Sequence, residues 1–216
     1  MVAKKKNISR KRSRQIEPKK SFFNIKIIGI IILFIIIIIS VYFIFLGFDT
    51  NGKNDENPIA VIDTSMGIIK VELYKDKMPI TCNNFIKLVN DGFYNGMIFY
   101  RISDNFMIQA GRYFADGSEE FSKYGNIDFE ESDVKHVDGA ISMASTGVKV
   151  GGSSEFFICD GEQTFLDGNY AAFGVTIEGI DVVRNIASQP QDNSNPAGGG
   201  KPLEDIIINS ITIENK

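Results

Sequence analysis

FYRISDNFMIQA, residues 99–110, reads as two short strands, one closing an apolar run over 97–102 and one over 106–110, parted by Ser103, Asp104 and Asn105. Aromatic and β-branched residues in short runs between polar turn residues suit a pleated, half-buried surface. The same signal repeats outward in both directions. Towards the N-terminus, runs over 59–63 and 68–74 flank Thr64-Ser65-Met66-Gly67, a hairpin with glycine available for the turn. Towards the C-terminus, 139–144, 155–159 and 171–176 read as strands, and 203–213 closes as the last. Pro79 opens a helix with Thr81 as a candidate cap, an apolar stripe of Phe85, Ile86, Leu88 and Val89, and a stop at Asp91-Gly92. A second helix fits 180–187. The segment 188–201, with two prolines and Gly198-Gly199-Gly200, reads as a flexible loop. Many short strands, two helices and no βαβ rhythm predict an antiparallel barrel or sandwich.

The 216 residues carry a net charge of −4, but that charge is unevenly distributed. Residues 1–20 hold nine Lys/Arg against one acid, Glu17, and Ile27 to Phe48 is a run of 22 uncharged, mostly aliphatic and aromatic residues. As a helix that run would reach about 33 Å, enough for a bilayer core. A buried core helix would show a polar face, whereas Gly29, Ser40 and Tyr42 are among the few interruptions here. A cleavable signal has a shorter apolar region and a small-residue cleavage pattern, and none precedes Asp49. The reading is an uncleaved signal anchor. Ten Lys/Arg precede the span, so the positive-inside rule places the tail in the cytoplasm and the chain beyond Phe48 outside. A nucleic-acid arm is the weaker reading, because the juxtamembrane position already accounts for the basic residues. The boundaries are thus a basic cytoplasmic tail over 1–26, a transmembrane anchor over 27–48, a tether over 49–58 and a globular domain over 59–216. That domain has 12 Lys/Arg against 23 Asp/Glu, near −11, which argues against nucleic acid as a partner.

Composition also limits the chemistry. His136 is the only histidine, so no multi-histidine metal site exists within one chain. Cys82 and Cys159 cannot build a disulfide framework or a four-cysteine zinc site, and the burial habit of cysteine favours two buried free thiols.

The series Phe99-Tyr100-Arg101-Ile102, Phe106-Met107-Ile108-Gln109, Ile141-Ser142-Met143-Ala144, Ser154-Glu155-Phe156-Phe157-Ile158, Phe165-Leu166-Asp167-Gly168 and Ala172-Phe173-Gly174 resembles the cyclophilin family over nearly all of 59–213. Taken singly, these are ordinary core and surface residues; their joint order is what is specific. The resemblance implies a mainly β fold, an eight-stranded antiparallel closed barrel capped by two α-helices, and peptidyl-prolyl cis/trans isomerase activity on proline-containing segments of folding proteins. It makes Arg101 the catalytic arginine and Gln109 the residue orienting it, with Phe106, Met107, Phe157 and Leu166 forming the proline pocket. Ala144, Ser145 and Thr146 occupy the segment that pairs with the peptide. Tyr170 stands where many eukaryotic members have histidine, as in bacterial-type members, and still offers a hydroxyl. His136 matches no active residue and reads as structural or exposed.

Three departures from the family pattern matter. Glu155 replaces a common glutamine beside the groove, where it could pair with Arg101 or repel acidic peptides. Phe165 replaces the tryptophan associated with strong cyclosporin binding, which implies weak binding of that drug at most. The loop 112–126 lacks the family's glycine-rich pattern. The chemistry agrees with the resemblance: rotating an X-Pro bond breaks amide resonance across a barrier of roughly 18–20 kcal/mol, and lowering it takes an apolar slot and a cationic donor rather than a nucleophile, so the reaction the resemblance implies calls for no metal and no cofactor. The expectation is a membrane-anchored isomerase serving extracytoplasmic folding; the alternative is a peptide-binding or chaperone module that kept the pocket and lost turnover.

Overall fold

Period-two burial organises the strands of the computed structural model, which describes residues 29–30, 32–39, 57–131 and 133–215. Two units are present, Met1–Gly52 and Lys53–Lys216. In the first, helix α1 covers 29–30 and 32–39 with its apolar side chains exposed. Among the described residues no helix is long and apolar enough to cross a membrane. The expected tail over 1–26 and most of the expected span (27–48) and tether (49–58) lie outside the described residues.

In the second unit, β1 (Ile59–Thr64) and β2 (Gly67–Leu73) form the expected hairpin. Gly67 is required there: its φ is +134°, and a Cβ would sit 2.9 Å from Val182. Next in the chain come α2 (Pro79–Asn90), β3 (Arg101–Ser103), β4 (Met107–Ala110), β5 (Ala140–Met143), β6 (Phe156–Cys159), a 3-10 turn at Thr164–Leu166, β7 (Ala171–Glu178), α3 (Ile180–Ala187) and β8 (Ile208–Glu214). The run over 97–102 forms a strand only at its end. Met97 and Ile98 make single bridges to Phe114 and Ile207, and Leu203 lies exposed ahead of the last strand.

All eight strands join one antiparallel sheet in the order β3-β4-β6-β5-β7-β2-β1-β8. The closed barrel implied by the resemblance is therefore corrected: the ladder ends at β3 and β8, and only single bridges, Ile98 with Ile207 and Ile102 with Gly200, cross between their surroundings. The cause is local. β3 is three residues long, and its free edge is taken by a loop, Ile102 and Gly200 exchanging N–H···O bonds of 2.9 and 3.1 Å. The first residue of β8, Ile208, exchanges bonds of 2.8 Å with Gly96 and Met97, outside any strand.

The core lies between the sheet and the two helices of this unit. Phe85 of α2 packs edge-on to Phe156 (centroids 5.4 Å apart) and against Tyr94 and Phe173, while Val183, Ile186 and Ala187 of α3 join the same cluster. Tyr94 can be fully buried because its hydroxyl donates to the Ser154 carbonyl at 2.9 Å. Both cysteines are buried and free, and burial pushes both thiols up to about 12.

Thr81 does not cap α2, which begins after Met78 with no side-chain cap of its own. Its first N–H groups are met from far along the chain: Glu130 accepts from Ile80 (3.0 Å) and Thr81 (2.8 Å). A carboxylate there satisfies two orphan donors and faces the positive end of the helix dipole. Glu130→Ala is expected to lower the unfolding free energy by about 1 kcal/mol, read from the midpoint of urea unfolding, with Glu130→Gln losing less.

Candidate functional site

Strand alternation sends two rows of residues to opposite faces of β3, β4, β6 and β5. On the core face Ile102, Ile108, Ile158 and Ile141 stand opposite one another, all buried. On the other face, one residue out of phase, stand Arg101, Gln109, Phe157 and Ser142. A second, smaller apolar cluster forms on that face from Met107, Ala140, Phe157, Cys159 and Leu166, with Phe106, Ala144 and Tyr170 against it. It floors a cavity of about 520 Å³.

Ten of the twelve residues singled out from the sequence line this cavity: Arg101, Phe106, Met107, Gln109, Ala144, Ser145, Phe157, Phe165, Leu166 and Tyr170. Thr146 and Glu155 line an adjoining cavity of about 350 Å³, with Gln109, Ala144 and Ser145 shared between the two. Gln163 and Ala197 also line the first cavity and went unread in the sequence. Gln163 precedes the 3-10 turn and Ala197 lies in the loop after α3, so no periodic pattern points to either.

The guanidinium of Arg101 sits at the rim of the cavity. Its Nη1 donates to Gln109 Oε1 at 3.2 Å, its Nη2 to the carbonyls of Ala197 (3.1 Å) and Gly198 (3.0 Å), and its Nε to Gly198 (3.1 Å). These occupy four of its five N–H donors and leave one on Nη1. Burial pulls its pKa below the ordinary value, with Tyr100 and Tyr170 opposing, and a guanidinium so placed remains charged. The ring of Phe106 lies 5.7 Å from its central carbon.

Gln109 is oriented from behind. Its amide nitrogen donates to the Tyr100 hydroxyl and to Glu155 Oε2 (3.2 Å), and Tyr100 itself donates to the same carboxylate oxygen. A carboxylate can only accept, so the amide NH₂ turns towards Glu155 and Oε1 towards Arg101. Burial, then the Glu155 charge, raise the pKa of Tyr100 far above its ordinary value, which keeps the hydroxyl a donor. Glu155 does not pair with Arg101. Its other oxygen takes Arg112 Nη1 at 3.2 Å, and Arg112 also grips Glu119 Oε2 at 3.0 and 2.9 Å. Alternation along the expected strand over 97–102 sets Tyr100 on the face opposite Arg101, but Tyr100 lies just ahead of β3, where strand phase does not apply, and its hydroxyl reaches Gln109 and Glu155.

His136 is fully buried beneath the cavity. Nδ1 lies 3.0 Å from Asp167 Oδ1 and Nε2 lies 3.0 Å from Ser142 Oγ, and the ring stacks on Phe157 at 6.0 Å. Its backbone N–H also donates to Asp167 (2.8 Å) and its carbonyl accepts from Gln163 (2.8 Å), tying the turn that carries Phe165 and Leu166 to the sheet. Among the described residues, no group of three or more His, Cys, Asp or Glu is placed to hold a metal ion.

Comparison with known proteins gives one family. The family model described as cyclophilin type peptidyl-prolyl cis-trans isomerase/CLD matches residues 59–213. "Peptidyl-prolyl cis-trans isomerase A" of Dickeya dadantii is 33% identical over 161 residues, covering 72% of this chain and 84% of that protein. "Peptidyl-prolyl cis-trans isomerase-like 3" of Gallus gallus is 35% identical over 155 residues, covering 70% of this chain and 93% of that protein. Among solved structures, a cyclophilin-type isomerase of Cryptosporidium parvum, crystallised in the presence of the dipeptide Ala-Pro, superposes with a TM-score of 0.65 at 31% identity, covering 73% of this chain and 99% of that one.

Burial holds the pKa of His136 below its ordinary 6.5, although the bond and charge of Asp167 oppose this. The unfolded chain therefore binds a proton that the folded chain refuses. The stability contributed by the neutral ring is complete above 6.5 and is lost as pH falls from 6.5 towards the depressed folded value. For Asp167, burial works to raise the pKa, but the backbone and ring N–H of His136 outweigh it and leave the carboxyl low, so it stays charged across this window. The expected result is a melting temperature that drops as pH is lowered below 6.5, with a flatter profile for His136→Gln.

Proposed function

The chain belongs to the cyclophilin-type peptidyl-prolyl cis-trans isomerase family and is an isomerase of that kind, and on that basis we propose that Arg101 is its catalytic donor and the apolar cavity its proline pocket. As an X-Pro bond twists, conjugation is lost and the prolyl nitrogen gains a localised lone pair. A cation that donates to this nitrogen stabilises the twisted state more than either planar one, which is the condition for a faster reaction. The observation that carries the reading is the remaining Nη1 N–H of a rigidly held guanidinium at the rim of an apolar cavity. Phe106, Met107, Phe157 and Leu166 take the proline ring. Gln109 steers Arg101 through Oε1, and the backbone around Ala144, Ser145 and Thr146 pairs with the peptide flanking the proline. Tyr170, which lies edge-on to Phe157 at 6.3 Å, supplies a hydroxyl at the pocket wall in place of histidine. The exposed Phe165 ring supplies the apolar edge without the indole N–H of tryptophan, hence weak cyclosporin binding.

The non-catalytic alternative rests on Glu155 as a disturbance beside Arg101. That motive is removed by the partners of Glu155, which are Arg112, Tyr100 and Gln109. In this setting the carboxylate supports catalysis by orienting Gln109.

The setting we infer is the outer face of a cell membrane. The uncharged stretch from Ile27 to Phe48 serves as a single-pass anchor, the basic tail stays in the cytoplasm, and the acidic domain works on exported chains as they fold. Protease added to intact cells is expected to digest the domain; protection until lysis would overturn this topology.

For catalysis, Arg101→Ala in the full chain should lower kcat/KM on an Xaa-Pro peptide by about 100-fold or more, measured by exchange between the cis and trans peptide signals in NMR. Unchanged turnover would end the mechanism.

A further inference from the structure

The segment 188–201, expected to be flexible from its two prolines and Gly198-Gly199-Gly200, is pinned by hydrogen bonds over 191–200. Asp192 ties its two ends: the backbone of Asp192 donates to the Lys201 carbonyl (3.0 Å), and its Oδ1 accepts from the N–H groups of Ser194 and Lys201, both at 2.9 Å. Asn195 braces the tip. Its Oδ1 accepts from Ala197 N–H at 2.9 Å, its carbonyl accepts from Gly198 N–H at 3.0 Å, and its own N–H donates to Gly199 at 3.1 Å. Gly199, at φ +76°, lies so close to the Ile102 carbonyl that any Cβ would strike it, and Gly200 pairs with Ile102 in both directions. The loop is thus laid along the open edge of β3, the strand that carries Arg101.

Two carbonyls emerge from this brace, Ala197 and Gly198, and both are spent on Arg101, accepting three of its four hydrogen bonds. Gln109 supplies the fourth from the other side. The tip residues Ala197 and Gly198 are solvent-exposed, so packing does not fix them; Asn195, half-buried, does so by hydrogen bonds, its backbone making those to Gly198 and Gly199 and its side chain the one to Ala197 N–H, a residue whose carbonyl Arg101 holds. Acceptors held in place before the substrate arrives aim the free N–H at no cost during the reaction, whereas a loose loop would leave the guanidinium to several rotamers.

We propose that the 191–200 loop is a cradle for the catalytic guanidinium and that Asn195 is a positioning residue acting on turnover through Arg101. The proposal rests on the reading of Arg101 as the catalytic donor. Asn195 touches neither the cavity nor the substrate, and its effect passes through the Ala197 and Gly198 carbonyls alone.

The test uses the full chain and four proteins: Asn195→Ala, Asn195→Asp, Arg101→Ala and the double variant Arg101→Ala/Asn195→Ala. Asn195→Ala is expected to lower kcat on the order of 10- to 100-fold with KM changed by less than about twofold, as a loss confined to the twisted state requires. It should also shift the Arg101 Nε–H resonance in NMR. Asn195→Asp keeps the acceptor oxygen and is expected to restore most of kcat. In the Arg101→Ala background the asparagine substitution should cost nothing further. If Arg101→Ala alone is silent, the catalytic reading fails. If Arg101→Ala is severe while Asn195→Ala leaves kcat and the Nε–H resonance in place, the cradle fails and the catalytic reading stands. An equal loss from Asn195→Ala in both backgrounds, or a failure of Asn195→Asp to restore kcat, also overturns the cradle. Should Asn195→Ala prove too unstable to assay, Asn195→Gln takes its place, since one added methylene moves the acceptor oxygen away from Ala197 N–H: a lowered kcat with a shifted Arg101 Nε–H resonance is expected, and both unchanged would overturn the cradle.

Discussion

Everything in the site depends on the phase of four short strands. Successive side chains of a strand point to opposite faces, so the registers Arg101–Gln109, Gln109–Phe157 and Phe157–Ser142 place a cation, an amide and an aromatic ring in one row by the same backbone pairing that buries Ile102, Ile108, Ile158 and Ile141. A slip of one residue between β3 and β4 would put a guanidinium in the core and an isoleucine in the groove. The burial of four isoleucines, at about 25 cal/mol per Å² of apolar surface, therefore enforces the arrangement of the functional row. The bulge between Ile141 and Ser142 in the pairing of β5 with β7 adjusts the strand next to the site, at a position where Gly174 leaves room for the Glu72 carbonyl.

Charge is handled by satisfaction rather than exclusion. Arg101 lines one cavity and Arg112 and Glu155 the other, each with a named partner, and the carboxylate nearest the groove is held by Arg112 and used to orient an amide. A half-satisfied network here would cost more than an apolar substitute, because desolvation leaves unpaired donors and acceptors expensive. The single histidine obeys the same rule: it is buried neutral with an acceptor and a hydroxyl as partners, beneath the pocket wall and outside the reaction.

Much of the fold is legible in the residues alone. The hairpin over 59–74, the boundaries of α3 and the strands around 107–110, 140–143 and 156–159 come from local patterning and turn residues. Illegible were the features that join distant segments. Glu130 replaces Thr81 at the start of α2 because a carboxylate brought near in space outcompetes a hydroxyl inside the first turn. The barrel remains open because the loop at Gly200, and not β8, takes the free edge of β3. Arg112 reaches Glu155 across 43 residues of chain, a pairing no spacing rule contains.

The amino-acid sequence by itself determined the elements and their faces, since propensity, turn chemistry and period-two alternation act between near neighbours, and the order of motifs sufficed to identify the family. It also determined the uneven charge, a basic and apolar N-terminal stretch ahead of an acidic domain. Only the tertiary structure decided who holds the arginine. Three of its four hydrogen bonds go to main-chain carbonyls of Ala197 and Gly198, almost a hundred residues away. Every residue carries a carbonyl, so nothing in the side chains marks these two; their position comes from a loop folded onto an open strand edge.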